Sequence, residues 1–261
     1  MSALLSGQTA VILGVANKWS LAYVIAQAYA REGAKLILTY QGERQKSVVE
    51  ELGAGISPET LVLPCDVTDS EQLSGLVETI REKYGRLDTV VHSIAFANRE
   101  DLSRAFVETS RDGYLLAQEV SAYSLIAVAR ALAPLMSDGG SIITLSYLGA
   151  VRVVQNYNVM GVAKAALEAS VRYLASDLGA QQIRVNAISA GPVKTASARG
   201  IKDFSKVLEG VAAIAPLRRN TDPAEVADTA VFLSSSLGRG VTGNVIYVDA
   251  GFQIMALAVG S

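Results

Sequence analysis

The sequence predicts a doubly wound α/β fold, a seven-stranded parallel sheet with helices on both faces, in one domain. Three observations carry this expectation. Short runs rich in branched aliphatic residues alternate with helical patterns along the whole chain, the rhythm of strand–crossover–strand units. Those runs are near-continuously apolar and do not alternate, as strands covered on both faces require. Half of the 261 residues are hydrophobic and the mean hydropathy is +0.30, which suits a fully covered sheet or a large subunit interface.

The strands are predicted at Thr9–Leu13, Lys35–Thr39, Thr60–Leu63, Thr89–His92, Ser141–Leu145, Arg184–Ile188 and Val245–Val248. The helix predicted over Leu21–Glu32 closes at Gly33, the residue type that best takes a left-handed C′ position. Asp222-Pro223-Ala224-Glu225 reads as an N-cap, a proline at N1 and a glutamate at N3, opening a helix through Phe232. No repeat, low-complexity tract or linker divides the chain, so residues 1–261 count as one domain.

Composition excludes several classes. A net charge of −2 gives no electrostatic reason to expect nucleic acid or a membrane surface. The single cysteine, Cys65, rules out an internal disulfide, fits a reducing compartment and rules out cysteine-rich metal sites. No uninterrupted apolar run looks long enough to span a bilayer. The start, MSALLSGQTAVILG, lacks the basic stretch and cleavage site of a secretory leader. A soluble cytoplasmic protein is expected.

The motif richest in chemistry is Tyr147, Tyr157 and Lys164, spaced Tyr-x9-Tyr-x6-Lys. Two residues seven apart on one helix differ by about 700° of rotation and roughly 10 Å of rise. Tyr157 and Lys164 therefore share a face, with room for a bound molecule between them. In a doubly wound sheet the ligand lies beyond the carboxyl ends of the strands, and three loops sit there by position. The first, Gly14 to Ala22, lacks the G-x-G-x-x-G pattern and keeps only Gly14, with Ser20 six residues on. It is either a pyrophosphate cradle at a helix N-terminus or an ordinary turn with a serine cap. In the second, Asp66 either accepts a hydrogen bond from an adenine amino group or caps the following helix. The third, His92 to Ala97, has small residues against which a flat ring can lie. His92, the lone histidine, reads as structural, and no metal site is expected.

Together with Val185-Asn186-Ala187-Ile188-Ser189-Ala190-Gly191-Pro192-Val193-Lys194-Thr195 and Val248-Asp249-Ala250-Gly251-Phe252, these motifs make the chain resemble the NADH-dependent enoyl-[acyl carrier protein] reductases. These are a divergent branch of the short-chain dehydrogenase/reductase superfamily. The resemblance covers essentially the whole chain. Ordinary members of the superfamily carry Tyr-x-x-x-Lys, but four residues after Tyr157 stands Gly161. Ala95 stands where many members have glycine, which narrows the pocket and touches inhibitor sensitivity only.

The resemblance implies a Rossmann-like fold, a homotetramer and reduction of trans-2-enoyl thioesters carried on acyl carrier protein, the last reductive step of fatty acid elongation. It implies catalytic roles for Tyr147, Tyr157 and Lys164. Gly14, Ser20 and Leu21 would hold pyrophosphate and ribose, Gln41 the adenine side, and Asp66 and Val67 the adenine ring. Ser93, Ile94 and Lys164 would lie at the nicotinamide riboside. Val193, Lys194, Thr195, Ala196 and Ser197 would hold the carboxamide and diphosphate. Ala97, Tyr147, Tyr157 and Met160 would meet the substrate.

Hydride addition to the β-carbon of such a thioester builds negative charge on its oxygen, and one preorganised donor there supplies about 2.7–4 kcal/mol. Tyr157 is the candidate donor; Tyr147 has no assigned step, and Lys164 is expected mainly to orient the cofactor. Ile201, Phe204 and Leu208 fall at helical spacing within about 196–209, which is either a flap over the site or a surface helix. Arg199, Lys202 and Lys206 would give it a basic face for an acidic carrier protein. Thr39 to Arg44 holds no basic cluster for a 2′-phosphate, so NADH is favoured over NADPH. The apolar run Ile254–Val259 is a candidate subunit contact. The rivals are a carbonyl or alcohol dehydrogenase and a non-catalytic dinucleotide sensor.

Overall fold

The computed structural model describes residues 3–193 and 204–256. Among them seven strands form one parallel sheet: β1 (Thr9–Leu13), β2 (Lys35–Tyr40), β3 (Leu61–Pro64), β4 (Thr89–His92), β5 (Gly140–Ser146), β6 (Ile183–Ala190) and β7 (Val245–Val248). Their order is β3-β2-β1-β4-β5-β6-β7. Val11 of β1 sits in register with Ile37 of β2 and Val90 of β4. The predicted β1, β4 and β7 match residue for residue. β5 and β6 run longer than predicted because they pair along Gly140–Ser146 and Ile183–Ser189.

The period-two geometry of a strand divides each apolar run between two cores. Val11, Leu13, Ile37, Val90 and Ile142 face α3 (Ser70–Tyr84), α6 (Ser124–Leu132) and α7 (Asn158–Leu178). Ala10, Ile12, Leu38, Val91 and Ile143 face α1 (Leu21–Arg31), α2 (Glu43–Ile56) and α9 (Pro223–Ser234). Both faces are thus dry, which accounts for the apolar composition.

The helix signals read from sequence hold. α1 ends at Arg31, with Glu32 as its C-cap and Gly33 following at φ +84°. α9 opens with a capping box between Asp222 and Glu225 and with Pro223 at its first position.

The stretch Arg111–Leu135, built of α5 (Arg111–Gln118), a π turn (Glu119–Tyr123), α6 and a 3₁₀ turn, is long and apolar enough by length and composition to cross a membrane. Half of its most apolar window is buried inside the fold, where Leu125, Val128, Ala129 and Leu132 join the core against the sheet. A helix of the inner layer and a membrane span share the same composition.

The expected flap is described only from Phe204, where α8 (Phe204–Ile214) begins. Its earlier part, with Arg199, Ile201 and Lys202, lies outside the described residues, as does the C-terminal run beyond Ala256.

Candidate active site

The strand order reverses between β1 and β4, and ligands of doubly wound sheets sit in the crevice that opens there. The loops leaving these two strands touch. Gly14 has φ +97°, and a Cβ on it would come within 2.0 Å of the Ser93 carbonyl oxygen. Only glycine allows both the backbone conformation and this approach. The Ser20 hydroxyl does not cap α1; it donates to the Asn17 carbonyl at 2.7 Å. The first turn of α1 therefore has no side-chain cap; the Tyr23 amide turns back to the Ser20 carbonyl, and the leading amides of an uncapped helix start suit an anion.

On the β2–β3 side, the Gln41 amide donates to Asp66 Oδ2 at 3.0 Å. The other carboxylate oxygen, Oδ1, accepts from both the amide and the hydroxyl of Thr68. Burial opposes ionisation of Asp66, but these hydrogen bonds outweigh it and hold the carboxyl below its ordinary range. The alternative of Asp66 as a helix cap is overturned, since Asp69 caps α3 by accepting from Glu71 and Gln72. Val67 is a core residue.

The loop after β4 is held by the π turn. Ser121 Oγ accepts from the Phe96 amide at 2.9 Å and reaches the Phe96 carbonyl at 3.1 Å. π turns recur at functional sites, and this one fixes the small-residue loop that carries Ala95, Phe96 and Ala97. His92 is wholly buried, its ring nitrogens 3.0 Å from Thr144 Oγ1 and 2.8 Å from Ser124 Oγ. Burial, aided by the charge of Lys164, pushes its pKa down to about 3. The ring is neutral and structural.

At the end of β5, Tyr147 meets Tyr157 edge to face, with ring centroids 4.9 Å apart and planes at 70°. Tyr157 does not lie within a helix as its spacing to Lys164 suggested; it is the N-cap of α7, which starts at Asn158 with φ +37°. Burial raises the Tyr157 pKa above the ordinary tyrosine value, and Tyr147 and Glu168 add to the effect. The phenol therefore stays protonated and able to donate. Burial also raises Tyr147.

Lys164 is buried, and its ammonium donates to the Leu145 carbonyl at 2.7 Å. Burial lowers its pKa to about 8, while Glu168 pulls it up. Glu168, one turn further along α7, accepts a 2.5 Å hydrogen bond from Ser146. Neither Ser146 nor Glu168 stands out in the sequence. The signal was present in two facts, that Ser146 adjoins Tyr147 and that Glu168 follows Lys164 by four residues.

A cavity of about 510 Å³ opens at this edge. It brings together six of the predicted residues, namely Leu21, Ala97, Tyr147, Tyr157, Met160 and Val193. Sequence reasoning missed Ser146, Leu102 and Arg99 as lining residues; Phe204, expected on a flap over the site, lines the cavity. Gly14, Ser20, Gln41, Asp66, Ser93 and Ile94 lie outside the cavity, on the loops that leave β1 to β4. Lys194, Thr195, Ala196 and Ser197 lie outside the described residues. The uncapped helix start, the glycine-dependent loop contact and the Gln41–Asp66 pair fit an elongated dinucleotide laid along this edge.

The family model described as "Enoyl-(Acyl carrier protein) reductase" matches residues 14–253. The chain is 58% identical over 253 residues to the NADH-dependent enoyl-[acyl-carrier-protein] reductase FabI of Bacillus cereus, covering 97% of this chain and 99% of that one. It is 51% identical to an NADPH-dependent FabI of Staphylococcus aureus, over 95% and 98% of the two chains. The Bacillus cereus enzyme crystallised with NADP+ and indole naphthyridinone superposes with a TM-score of 0.96 at 58% identity, covering 97% and 99% of the two chains. The Anaplasma phagocytophilum enzyme in complex with NAD gives 0.94 at 46% identity, covering 99% and 97%.

Proposed function

The chain belongs to the enoyl-[acyl carrier protein] reductase family, and on that premise we propose how its residues reduce the trans-2 double bond of enoyl-[acyl carrier protein] thioesters with NADH. The reaction is the last reductive step of fatty acid elongation. The observation that carries the residue assignment is the Tyr147–Tyr157 pair in the wall of the apolar cavity. The test is NADH oxidation on trans-2-enoyl thioesters of several chain lengths. A protein that reduces ketones but no enoyl thioester is a carbonyl reductase, and the reading fails.

Tyr157 donates its hydroxyl to the thioester oxygen. Its raised pKa keeps the proton on the phenol while charge builds on that oxygen, which is the condition for a preorganised donor. Tyr147 packs its ring edge to face against Tyr157 and narrows that side chain's freedom. Lys164 presents an ammonium to the ribose hydroxyls and orients the cofactor. The amides at the start of α1, with Gly14 and Ser20, hold the pyrophosphate; Gln41, Asp66 and Val67 frame the adenine; Ser93 and Ile94 back the nicotinamide riboside. Val193 leads into the segment with Lys194, Thr195, Ala196 and Ser197, assigned to the carboxamide and diphosphate. Bound along this edge, the dihydronicotinamide supplies the hydride for the β-carbon. Ala97, Met160 and Phe204 line the acyl path and keep water from it.

NADH is the preferred cofactor. Gln41 is committed to Asp66, and the next side chain along, Glu43, is an exposed acid that disfavours a 2′-phosphate. The Staphylococcus aureus relative makes NADPH the competing reading, and the ratio of the two specificity constants decides. The protein acts as a single-domain, soluble cytoplasmic homotetramer. Supporting a subunit contact, Tyr114, Leu115 and Tyr123 are exposed along α5 and the π turn, as is Tyr173 on α7. Such a concentration of apolar side chains on neighbouring helices suits burial by another copy.

A further inference from the structure

The end of β5 and the middle of α7 are joined by two hydrogen bonds that run in opposite directions. Lys164 Nζ on α7 donates to the Leu145 carbonyl at 2.7 Å. Ser146, the next residue on β5, donates its hydroxyl back to Glu168 Oε1 on α7 at 2.5 Å. Ser146, Lys164 and Glu168 are all at least nine-tenths buried. Tyr147 follows directly on the strand, so the same junction carries the ring that meets Tyr157. The reaction itself assigns nothing to Glu168. A buried carboxyl is costly unless something compensates it, so its position behind the catalytic wall calls for a role.

We propose that Glu168 is a positioning residue whose carboxylate, held by Ser146, keeps the Lys164 ammonium charged and aimed at the cofactor ribose; this rests on the enoyl reductase reading. Residues four apart on a helix stand one above the other on the same face, so Glu168 is the acidic neighbour of Lys164. The other groups around them carry little competing charge. His92 on β4 is neutral, with its pKa near 3. Tyr147 on the β5 exit, Tyr157 at the start of α7 and Tyr247 on β7 are all raised by burial and stay protonated. Burial raises the Glu168 carboxyl above its ordinary range, while the hydrogen bond from Ser146 and the charges of Arg172 and Lys164 oppose that rise; Arg172 also donates to the main-chain carbonyl of Glu168. Burial drives Lys164 down to about 8, and Glu168 is the one group that raises it. Without that carboxylate Lys164 would lose its proton close to neutral pH.

The experiment measures NADH affinity by fluorescence from pH about 6 to about 10, a window that brackets the depressed lysine. Wild type should bind tightly until Lys164 deprotonates. Glu168→Gln keeps an acceptor for Ser146 but removes the charge; the midpoint of the alkaline loss should fall by about one pH unit or more. Glu168→Asp should restore the wild-type midpoint while leaving kcat reduced. An unchanged midpoint in Glu168→Gln overturns the proposal. Should that variant not fold, carbon-13 NMR of the Glu168 carboxyl in the wild-type protein decides: ionised at pH 7 supports the proposal, protonated overturns it. Because binding is read without turnover, a wild type that binds NADH and reduces no enoyl thioester would sink the enzymatic reading alone.

Discussion

Tyr147 presents its ring edge to face to Tyr157 at 4.9 Å, so the last residue before one turn and the cap of the next helix act as a single wall. Burial holds the Tyr157 proton on its oxygen. Tyr157→Phe keeps the ring pair and removes only the donor. Its kcat on a crotonyl thioester should fall by about 10²–10³, the usual consequence of losing one oxyanion donor, with NADH affinity retained. Stopped-flow hydride transfer and a fluorescence titration check both halves; a wild-type rate removes Tyr157 from the mechanism.

Lys164 illustrates a conflict between stability and binding. Its pKa is depressed from 10.5 to about 8, so the folded protein bears a cost for the charged form. The cost is complete below about pH 8 and vanishes as pH rises through the unfolded value near 10.5. At about 1.4 kcal/mol per unit it amounts to roughly 3 kcal/mol, offset by about 1 kcal/mol for the bond to Leu145. Lys164→Met should therefore melt a few degrees higher than wild type at pH 7 and lose NADH binding. The gain should shrink in scans taken toward pH 10.

Much of this was legible in the sequence, and the residues that were not have a common reason. β1, β4 and β7 end where their apolar runs end. β5 and β6 extend further because each lengthens against the other, a non-local pairing that no local pattern records. Asp66 and Asp69 both stand ahead of α3, and only the coordinates tell that Asp69 caps it. The helical pattern runs on through Tyr157, yet the left-handed Asn158 stops the helix behind it. Ser146 beside Tyr147 and Glu168 four residues after Lys164 each carried a local hint, but their hydrogen bond to each other spans 22 residues and leaves no spacing to read.

Gly14 carries a sharp structural prediction. A methyl group there would collide with the Ser93 carbonyl and would also sit at φ +97°. Strain of this kind costs on the order of 1–3 kcal/mol before the collision is counted. Gly14→Ala should lower the melting temperature and weaken NADH binding together, since the loops after β1 and β4 must part. Retained affinity would show that the cofactor does not use this contact.

His92 predicts an acid limit. Its pKa falls from 6.5 to about 3 in the fold, so it contributes stability that is present above about pH 6.5 and is lost as pH drops toward 3. The slope approaches about 1.4 kcal/mol per pH unit. Between about pH 6.5 and 4.5 the lowered aspartates, Asp66, Asp69 and Asp101, have yet to titrate, and the lowered glutamates, Glu32 and Glu225, contribute equally in wild type and variant. Glu168, raised by burial, works in the opposite sense equally in wild type and variant. His92→Asn, which keeps partners for Thr144 and Ser124, should be less stable at pH 7 and lose less on acidification. Denaturant midpoints at several pH values measure the difference.

The basic face expected of Arg199, Lys202 and Lys206 predicts a salt effect. Of its three cations, Lys206 stands exposed on α8, while Leu208 on the same helix is buried; Arg199 and Lys202 lie outside the described residues. A cationic face around a cavity mouth steers an acidic carrier protein by long-range attraction, which added salt screens over a Debye length of about 10 Å at 0.1 M. The value of kcat/KM for a carrier-linked enoyl substrate should therefore fall severalfold between low and moderate salt. A short, neutral thioester reaches the same catalytic groups without steering, and its kcat/KM should barely move. Lys206→Glu should lower the carrier-linked value further and flatten its salt dependence. Equal salt responses for the two substrates would show that the carrier docks elsewhere, with Arg99 at the cavity wall the next cation to reverse.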